Sequence, residues 1–371
     1  MSDRTVPLVD LGLQHRQVAE DVQAGWEAVL ERTAFVLGDE VATFEQAYAD
    51  FIGVSHCVGV ANGTDSLELA LRALDIGPGD EVVVPANTFV ASALAVRRSG
   101  ATPVLVDVDA DHLLIEPGQV AEAVGPRTRA VMPVHLYGQM APMRELAACC
   151  DPDLAIVEDC AQAQGATQRG AHAGTFGAIS GTSFYPGKNL GAYGDAGAVL
   201  TDDEGLARRV RALRNYGSEQ KYVHDEIGFN SRLDTLQAVV LTAKLTWLGR
   251  WNEERQQASR RYEHLLEGVE RVTTPRVAPG NAHVWHLYVV RVPGREDILR
   301  GMAEMGVQAG IHYPTPVHRL GAFRDLGYSA GDFPITEAAS SEILSLPIYP
   351  GITEAQQDRV VDALVASLEP S

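Results

Sequence analysis

The sequence predicts an α/β fold, with a large unit built on a mostly parallel sheet and a smaller C-terminal α+β unit. Three observations carry that expectation. Short apolar runs alternate with helical periodicity through the first half of the chain, the pattern of strand–helix–strand units. After Ala178 the texture changes to short glycine-punctuated runs. A long helical region from Asp234 to about His264 then leads into a second set of strand and helix signals.

Residues 16–33 carry Val18, Val22, Trp26, Val29 and Leu30 at helical spacing, which predicts a helix laying that stripe on the core. Val58–Val60 reads as a strand, followed by the turn ANGTDS and the helical LELALRAL. Glu81–Val84 holds three consecutive valines, followed by PANTF and a helix through Ala95. Pro103–Val108, residues 129–136 and residues 154–157 are further strands, with a helix through Leu146 between the last two. SGTSFYP and GAVLT supply two more strands. In the second unit, HLYVVRV is a strand and Ile298–Met305 a helix. The expected division is 1–251 and 252–371. No repeat or Ser/Gly linker separates the two units, so they are expected to pack together.

The 371 residues carry 30 Lys and Arg against 49 Asp and Glu, a formal net charge of −19. That balance argues against nucleic-acid and anionic-membrane partners, which need a basic surface. The N-terminus has no apolar leader, and no run approaches the roughly 18 apolar residues of a membrane span. Cys57, Cys149, Cys150 and Cys160 form no CxxC, which fits a reduced, cytoplasmic thiol set.

In such sheets ligands gather at the carboxyl ends of the strands. The polar residues there are Asn62–Ser66, Asn87–Phe89, His135–Tyr137 and Asp159–Gln162. The densest chemistry lies in Ser183-Phe-Tyr-Pro-Gly-Lys188-Asn-Leu-Gly-Ala-Tyr-Gly-Asp195. A P-loop fails twice, because Gly181 and Gly187 are one residue too far apart and Asn189 follows the lysine. Lys188 is then either structural in a glycine-rich turn or the imine-forming lysine of an aldehyde cofactor. Other residues also read two ways. Asp159 can cap the following helix. Gly63 and Thr64 open a helix with Asp65 and Glu68 at capping spacing, and such amides also receive phosphate. Phe89 reads as core or as a ring platform. The His283/His286 spacing lacks any further metal-type partner and reads as structural, and no metal is expected. No nucleophile elbow and no dinucleotide fingerprint is present.

With VEDCAQAQGA upstream and GFNSRLDTLQA downstream, the segment SFYPGKNLGAYGDAGA resembles the pyridoxal-phosphate sugar aminotransferases of the DegT/DnrJ/EryC1/StrS group. The resemblance runs from VPLVDL to LSLPIYPGITEAQ, nearly the whole chain. It implies a fold-type I architecture with pyridoxal 5'-phosphate held on Lys188. Asp159 would then pair with the pyridine nitrogen, Gln162 with the 3-oxygen, and Phe89 would stack on the ring. Gly63, Thr64 and Ser183 would bind the phosphate, joined by Asn230 from a neighbouring subunit in a homodimer. Asp65 has the wrong charge for that site and is expected to turn away. Tyr185, Lys221, His312 and Tyr313 fall where relatives meet the sugar nucleotide, and Arg232 is a candidate for an anionic group or for a salt bridge. Many relatives carry His where this chain has Gln164.

RNYGSEQKYVH with IHYPTPVH looks most like members that aminate C3 of dTDP-3-keto-6-deoxyhexoses with L-glutamate as donor. Alternatives are 4-keto-sugars, UDP-sugars, a scyllo-inosose-type cyclitol or a non-enzymatic regulator. Lys188 argues against the related dehydratases, which lack it.

Overall fold

A computed structural model describes residues 5–368. The strands used below are β1 (His56–Val60), β2 (Glu81–Pro85), β3 (Thr102–Val106), β4 (Thr128–Val131), β5 (Ala155–Asp159), β6 (Ile179–Ser183), β7 (Gly197–Thr201), β8 (Tyr288–Arg291) and β9 (Ile343–Leu346). The first seven form one sheet in the order β1-β7-β6-β5-β4-β2-β3. Every neighbouring pair is parallel except those made by β7, which runs antiparallel to both β1 and β6.

The valine run explains why this sheet is buried on both sides. Successive side chains of a strand point to opposite faces. Val82 and Val84 join one apolar cluster with Val58, Val60 and Leu67, while Val83 joins another with Val106, Val131 and Met143. Parallel sheets covered by helices on both faces need such uninterrupted apolar strands. The 129–136 run behaves differently. Its ladder ends at Val131, and beyond it only single contacts continue, such as the Val134–Asp159 bridge and the His135 N–H donating to the Asp159 carbonyl. The chain turns there because Tyr137 adopts a left-handed conformation at φ 62°.

The helices are α1 (Leu11–Arg32), α2 (Asp39–Ile52), α3 (Gly63–Ala73), α4 (Val90–Ser99), α5 (Pro117–Ala123), α6 (Met143–Cys149), α7 (Glu204–Leu213), α8 (Thr235–Leu265), α9 (Arg295–Glu304), α10 (Pro334–Glu342) and α11 (Glu354–Leu368). In α1 the expected stripe is buried at Val18, Val22 and Val29, but Leu30 is exposed. The stripe faces Val240 and Trp251 of α8, and Leu30, one residue past Val29, is rotated about 100° away.

The C-terminal unit pairs β8 antiparallel with β9. Its core joins Tyr262, Tyr288, Met302, Leu346 and Leu364, and takes in Val6 from the other end of the chain. The expected division at 251/252 falls inside α8, whose Ala238, Leu241 and Leu248 pack on the large unit while Ala258 and Tyr262 pack on the small one. Among the described residues no helix is long and apolar enough to cross a membrane.

Candidate active site

The carboxyl ends of β1, β2, β5 and β6 open on one cavity of about 400 Å³, which the small unit closes with His286, His312 and Tyr313. Gly63, Thr64, Phe89, Asp159, Gln162, Ser183, Tyr185, Lys188, His312 and Tyr313 all line it. Ten of the sequence-chosen residues thus meet although more than 200 positions separate the first from the last.

Asp159 ends β5 and is buried. Its Oδ2 accepts the Ser92 hydroxyl at 2.7 Å and its Oδ1 accepts the Ala161 N–H at 3.1 Å. Ser92 lies in the first turn of α4 and pairs in turn with Thr88 at 2.8 Å. Burial raises the Asp159 pKa despite the opposing Ser92 and Ala161 hydrogen bonds and the charges of Lys188 and His135. The preceding Glu158 points to the other face, as strand alternation requires. It accepts His135 Nε2–H and the amides of Gly174, Phe176 and Gly177 at 2.7–3.0 Å. Burial disfavours its charge, but the His135 hydrogen bond and charge and those amides prevail, so its pKa is lowered.

Lys188 belongs to the tight loop between β6 and β7, where its N–H donates to the Tyr185 carbonyl at 2.8 Å. Burial lowers its amine pKa to about 8, with Asp159 pulling the other way. About a tenth of the amine is therefore neutral near pH 7, rather than less than a thousandth for an unperturbed lysine.

Asn62 caps α3 by accepting the Asp65 N–H at 2.8 Å, so the amides of Gly63 and Thr64 project from the first turn. Gly63 must be glycine, because a Cβ there would stand 2.5 Å from the Ser183 Cβ. Asp65 turns away from the cavity to Ser231 Oγ at 2.7 Å and to Arg98 at 3.1 Å. Phe89 remains 49% exposed, an unusual state for a phenylalanine at a strand end, and its ring lies 5.0 Å from that of Tyr313. Gln162 is clamped: Oε1 accepts the Tyr137 N–H at 2.6 Å and Nε2 donates to the Tyr313 hydroxyl at 2.9 Å. His312 is held by Ser345 Oγ at 2.8 Å, and burial followed by the Lys188 charge lowers its pKa to about 4.

The structure does not bring Asn230, Lys221 and Arg232 to this cavity. Lys221 and Asn230 are exposed. Lys221 Nζ rests 5.0 Å from the centre of the Tyr222 ring. Arg232 donates to Asn215 Oδ1 at 3.2 Å and lies over Tyr216, and among the described residues it forms no salt bridge.

His286 corrects the structural reading of HVWH. It lines the cavity, and its Nδ1 is buried without a hydrogen-bond partner among the described residues. His283 does behave structurally, stacking on Trp285 with ring centres 3.8 Å apart. Sequence reasoning also passed over Ser92, although PANTFVAS placed it one helical turn from Phe89. His135, Glu158 and Cys160 come within metal-binding distance of each other. Their lone pairs are largely committed, since His135 Nδ1 also accepts the Ala141 N–H at 3.1 Å.

These residues fit pyridoxal phosphate. A buried carboxylate and a partly neutral lysine face one cavity, an exposed aromatic ring lines it, and a helix N-terminus free of side chains can take a phosphate. With the sheet topology, this defines a fold-type I pyridoxal-phosphate enzyme. The chain belongs to the DegT/DnrJ/EryC1/StrS aminotransferase family, whose model matches residues 16–365, and it is a pyridoxal-phosphate-dependent aminotransferase. It is 45% identical to the Erythromycin biosynthesis sensory transduction protein EryC1 of Saccharopolyspora erythraea, over 97% of this chain and 99% of that one. It is 44% identical to the dTDP-3-amino-3,4,6-trideoxy-alpha-D-glucose transaminase of Streptomyces venezuelae, over 97% of this chain and 95% of the relative. The crystal structure of S. venezuelae DesV in complex with a ketimine intermediate superposes with a TM-score of 0.96 at 44% identity, covering 99% of both chains.

Proposed function

We propose that this aminotransferase moves the amino group of L-glutamate to the C3 keto group of a dTDP-3-keto-6-deoxyhexose, in the cytoplasm, as a step of amino-sugar biosynthesis. The observation that carries the reading is the meeting of Lys188, Asp159 and the open α3 amides on one cavity wall. The C3 and dTDP assignments rest on the similarity to the dTDP-3-amino-sugar transaminase.

When bound, the cofactor supplies an aldehyde that takes up amines and a ring that accepts the electron pair left when a C–H bond breaks. Asp159, fixed by Ser92 and the Ala161 amide, keeps a negative charge for a protonated pyridine nitrogen. Phe89 covers the ring and Gln162 addresses its 3-oxygen. Gly63, Thr64 and Ser183 hold the phosphate. Lys188 would hold the aldehyde carbon through Nζ, and the same Nζ would receive and return the proton. Its lowered pKa suits that work near neutral pH. Tyr185, His312 and Tyr313 bind the sugar nucleotide.

Asn230, Lys221 and Arg232 act in this reading from a second copy of the chain. Their segment exposes Tyr216, Tyr222, Val223 and Ile227, and the nearby Phe35, Val36 and Leu37 are exposed as well. Apolar surface of this kind favours burial against a partner. Asn230 then completes the phosphate site, Lys221 the sugar site, and Arg232 meets the glutamate carboxylate or the diphosphate.

The relative's sensory-transduction name raises a regulatory reading. The similarity to the dTDP-3-amino-sugar transaminase favours turnover instead. A panel of dTDP- and UDP-linked 3-keto and 4-keto sugars with L-glutamate, read by NMR of the products, tests the proposal. A new amine at C3 of the dTDP sugar is expected. An amine only at C4, turnover only of UDP-sugars, or no glutamate-dependent absorbance change overturns it.

A further inference from the structure

The reactive lysine sits in a loop, yet its nitrogen must meet a carbon atom within tenths of an ångström. The polar groups behind that loop come from one helix. Gln237, Lys244 and Asn252 of α8 are spaced seven and eight residues apart, which puts them on one side of the helix. Gln237 Oε1 accepts the Tyr193 N–H at 2.8 Å, and Lys244 Nζ donates to the Gly191 carbonyl at 2.6 Å.

Asn252 makes the connection nearest the chemistry. Its Oδ1 accepts Asn189 Nδ2 at 2.8 Å, and Asn189 immediately follows Lys188. Its Nδ2 donates to the Gln164 carbonyl at 2.9 Å, in the loop that follows Asp159 and Gln162. The second hydrogen of Asn189 Nδ2 reaches the Val284 carbonyl at 2.9 Å, two residues before His286. Asn189 and Asn252 are 1% and 6% exposed, so water does not substitute readily for these bonds. The backbone is shaped to admit the amide. Gly165 adopts φ +89°, and a Cβ there would lie 2.7 Å from Asn252 Nδ2.

We propose that Asn252 is a positioning residue for the aminotransferase reaction: with Asn189 it locks the Lys188 loop against the Asp159 loop and so sets where the lysine nitrogen stands relative to the ring-binding carboxylate. The inference rests on the roles given above to Lys188 and Asp159. The two amides together could be replaced by apolar side chains of similar volume without opening a cavity, so a packing role alone does not require this pair. The bonds are instead spent on three backbone segments that meet at the site.

The test uses the Asn252→Leu holoenzyme. The first readout is the pH midpoint of the lysine-bound cofactor's absorbance, which reports the nitrogen's surroundings without turnover. A shift of about half a unit or more is expected. The second is the single-turnover rate with L-glutamate, expected to fall about 10²-fold, the size a misplacement of roughly 1 Å produces. The slowing on α-deuterated glutamate should grow in the variant, because proton movement becomes limiting. Asn252→Asp keeps the acceptor for Asn189 and sets a carboxylate against the Gln164 carbonyl, and it should show the same changes if the leucine variant does not accumulate. Lys244→Met, whose partner Gly191 lies three residues past Lys188 in the loop, should have a smaller effect. A loaded Asn252 variant with the wild-type midpoint, rate and isotope effect overturns the proposal. Failure of the functional reading looks different: wild-type absorbance then does not respond to glutamate, while the midpoint comparison still decides whether Asn252 sets the lysine's position.

Discussion

The strand-end cavity and the segment from Asn215 to Arg232 carry residues of equal promise in the sequence but stand in opposite physical situations. In the cavity Asp159, Gln162 and His312 are each held by hydrogen bonds. Asp159 has Ser92 and the Ala161 amide, Gln162 has Tyr137 and Tyr313, and His312 has Ser345. In the segment, Tyr222 is 83% exposed and Ile227 is 91% exposed, beside a lysine and an asparagine directed at solvent. One chain completes the lysine-and-carboxylate half of the site by its own packing. The segment leaves apolar and polar side chains at the surface.

Removing Lys188 should separate the two regions most strongly. Lys188→Ala is expected to lower turnover by about 10⁴-fold, the upper range for loss of a positioned acid–base group. Cofactor binding through the phosphate and ring contacts should survive, read as retained cofactor without lysine-linked absorbance. Wild-type turnover in this variant breaks the account of the cavity.

Asp159→Asn comes next, with a loss on the order of 10²-fold, as for removal of one preorganised charge partner. The Ser92 and Ala161 bonds allow the amide to keep its place, so a single-turnover rate separates lost charge from lost geometry. An unchanged rate removes Asp159 from the chemistry.

The segment is tested by mixing inactive subunits. If Asn230 serves the neighbouring site, a hybrid of Lys188→Ala and Asn230→Ala subunits contains one site with both defects and one with neither. Mixed dimers should then recover about half the wild-type activity per dimer. No recovery, with dimers verified by mass, returns Asn230 to its own subunit's site, and full activity of the Asn230→Ala homodimer removes it from the site.

The last prediction concerns stability. Glu158→Gln strands donors in the interior and should cost about 2–4 kcal/mol, measured by denaturant unfolding. Because the folded pKa of Glu158 is lowered, the wild-type contribution is present above the ordinary glutamate value and disappears as pH falls through the folded one. The difference between wild type and variant should therefore shrink in acid. A difference that stays constant from pH 7 to pH 3 contradicts the assignment.

Much of this was legible in the chain. The Val82–Val84 run marked a strand covered on both faces, and the position of Asp159 after an apolar strand marked a ligand-facing end. Lys188 stood out because glycines and aromatics around it offer a surface charge little cover. Other features had no local signal. The strand ending at Val131 looked longer because MPVHL is as apolar as the residues before it, and only the turn at Tyr137 shows where the ladder stops. His286 looked like a buried core histidine because Lys188, which lines the same cavity, is about a hundred residues away in sequence.

Periodicity gave the succession of strands and helices, and motif spacing singled out Lys188 as the candidate lysine, because both depend on residues near one another along the chain. Tertiary structure alone decided that Ser92 would hold Asp159, that Asn252 would reach the lysine loop, and that Lys221 and Asn230 would face solvent while Arg232 settles against Asn215 and Tyr216. Those outcomes depend on which distant segments the sheet and α8 bring within hydrogen-bond reach, and that distance is set by packing rather than by sequence separation.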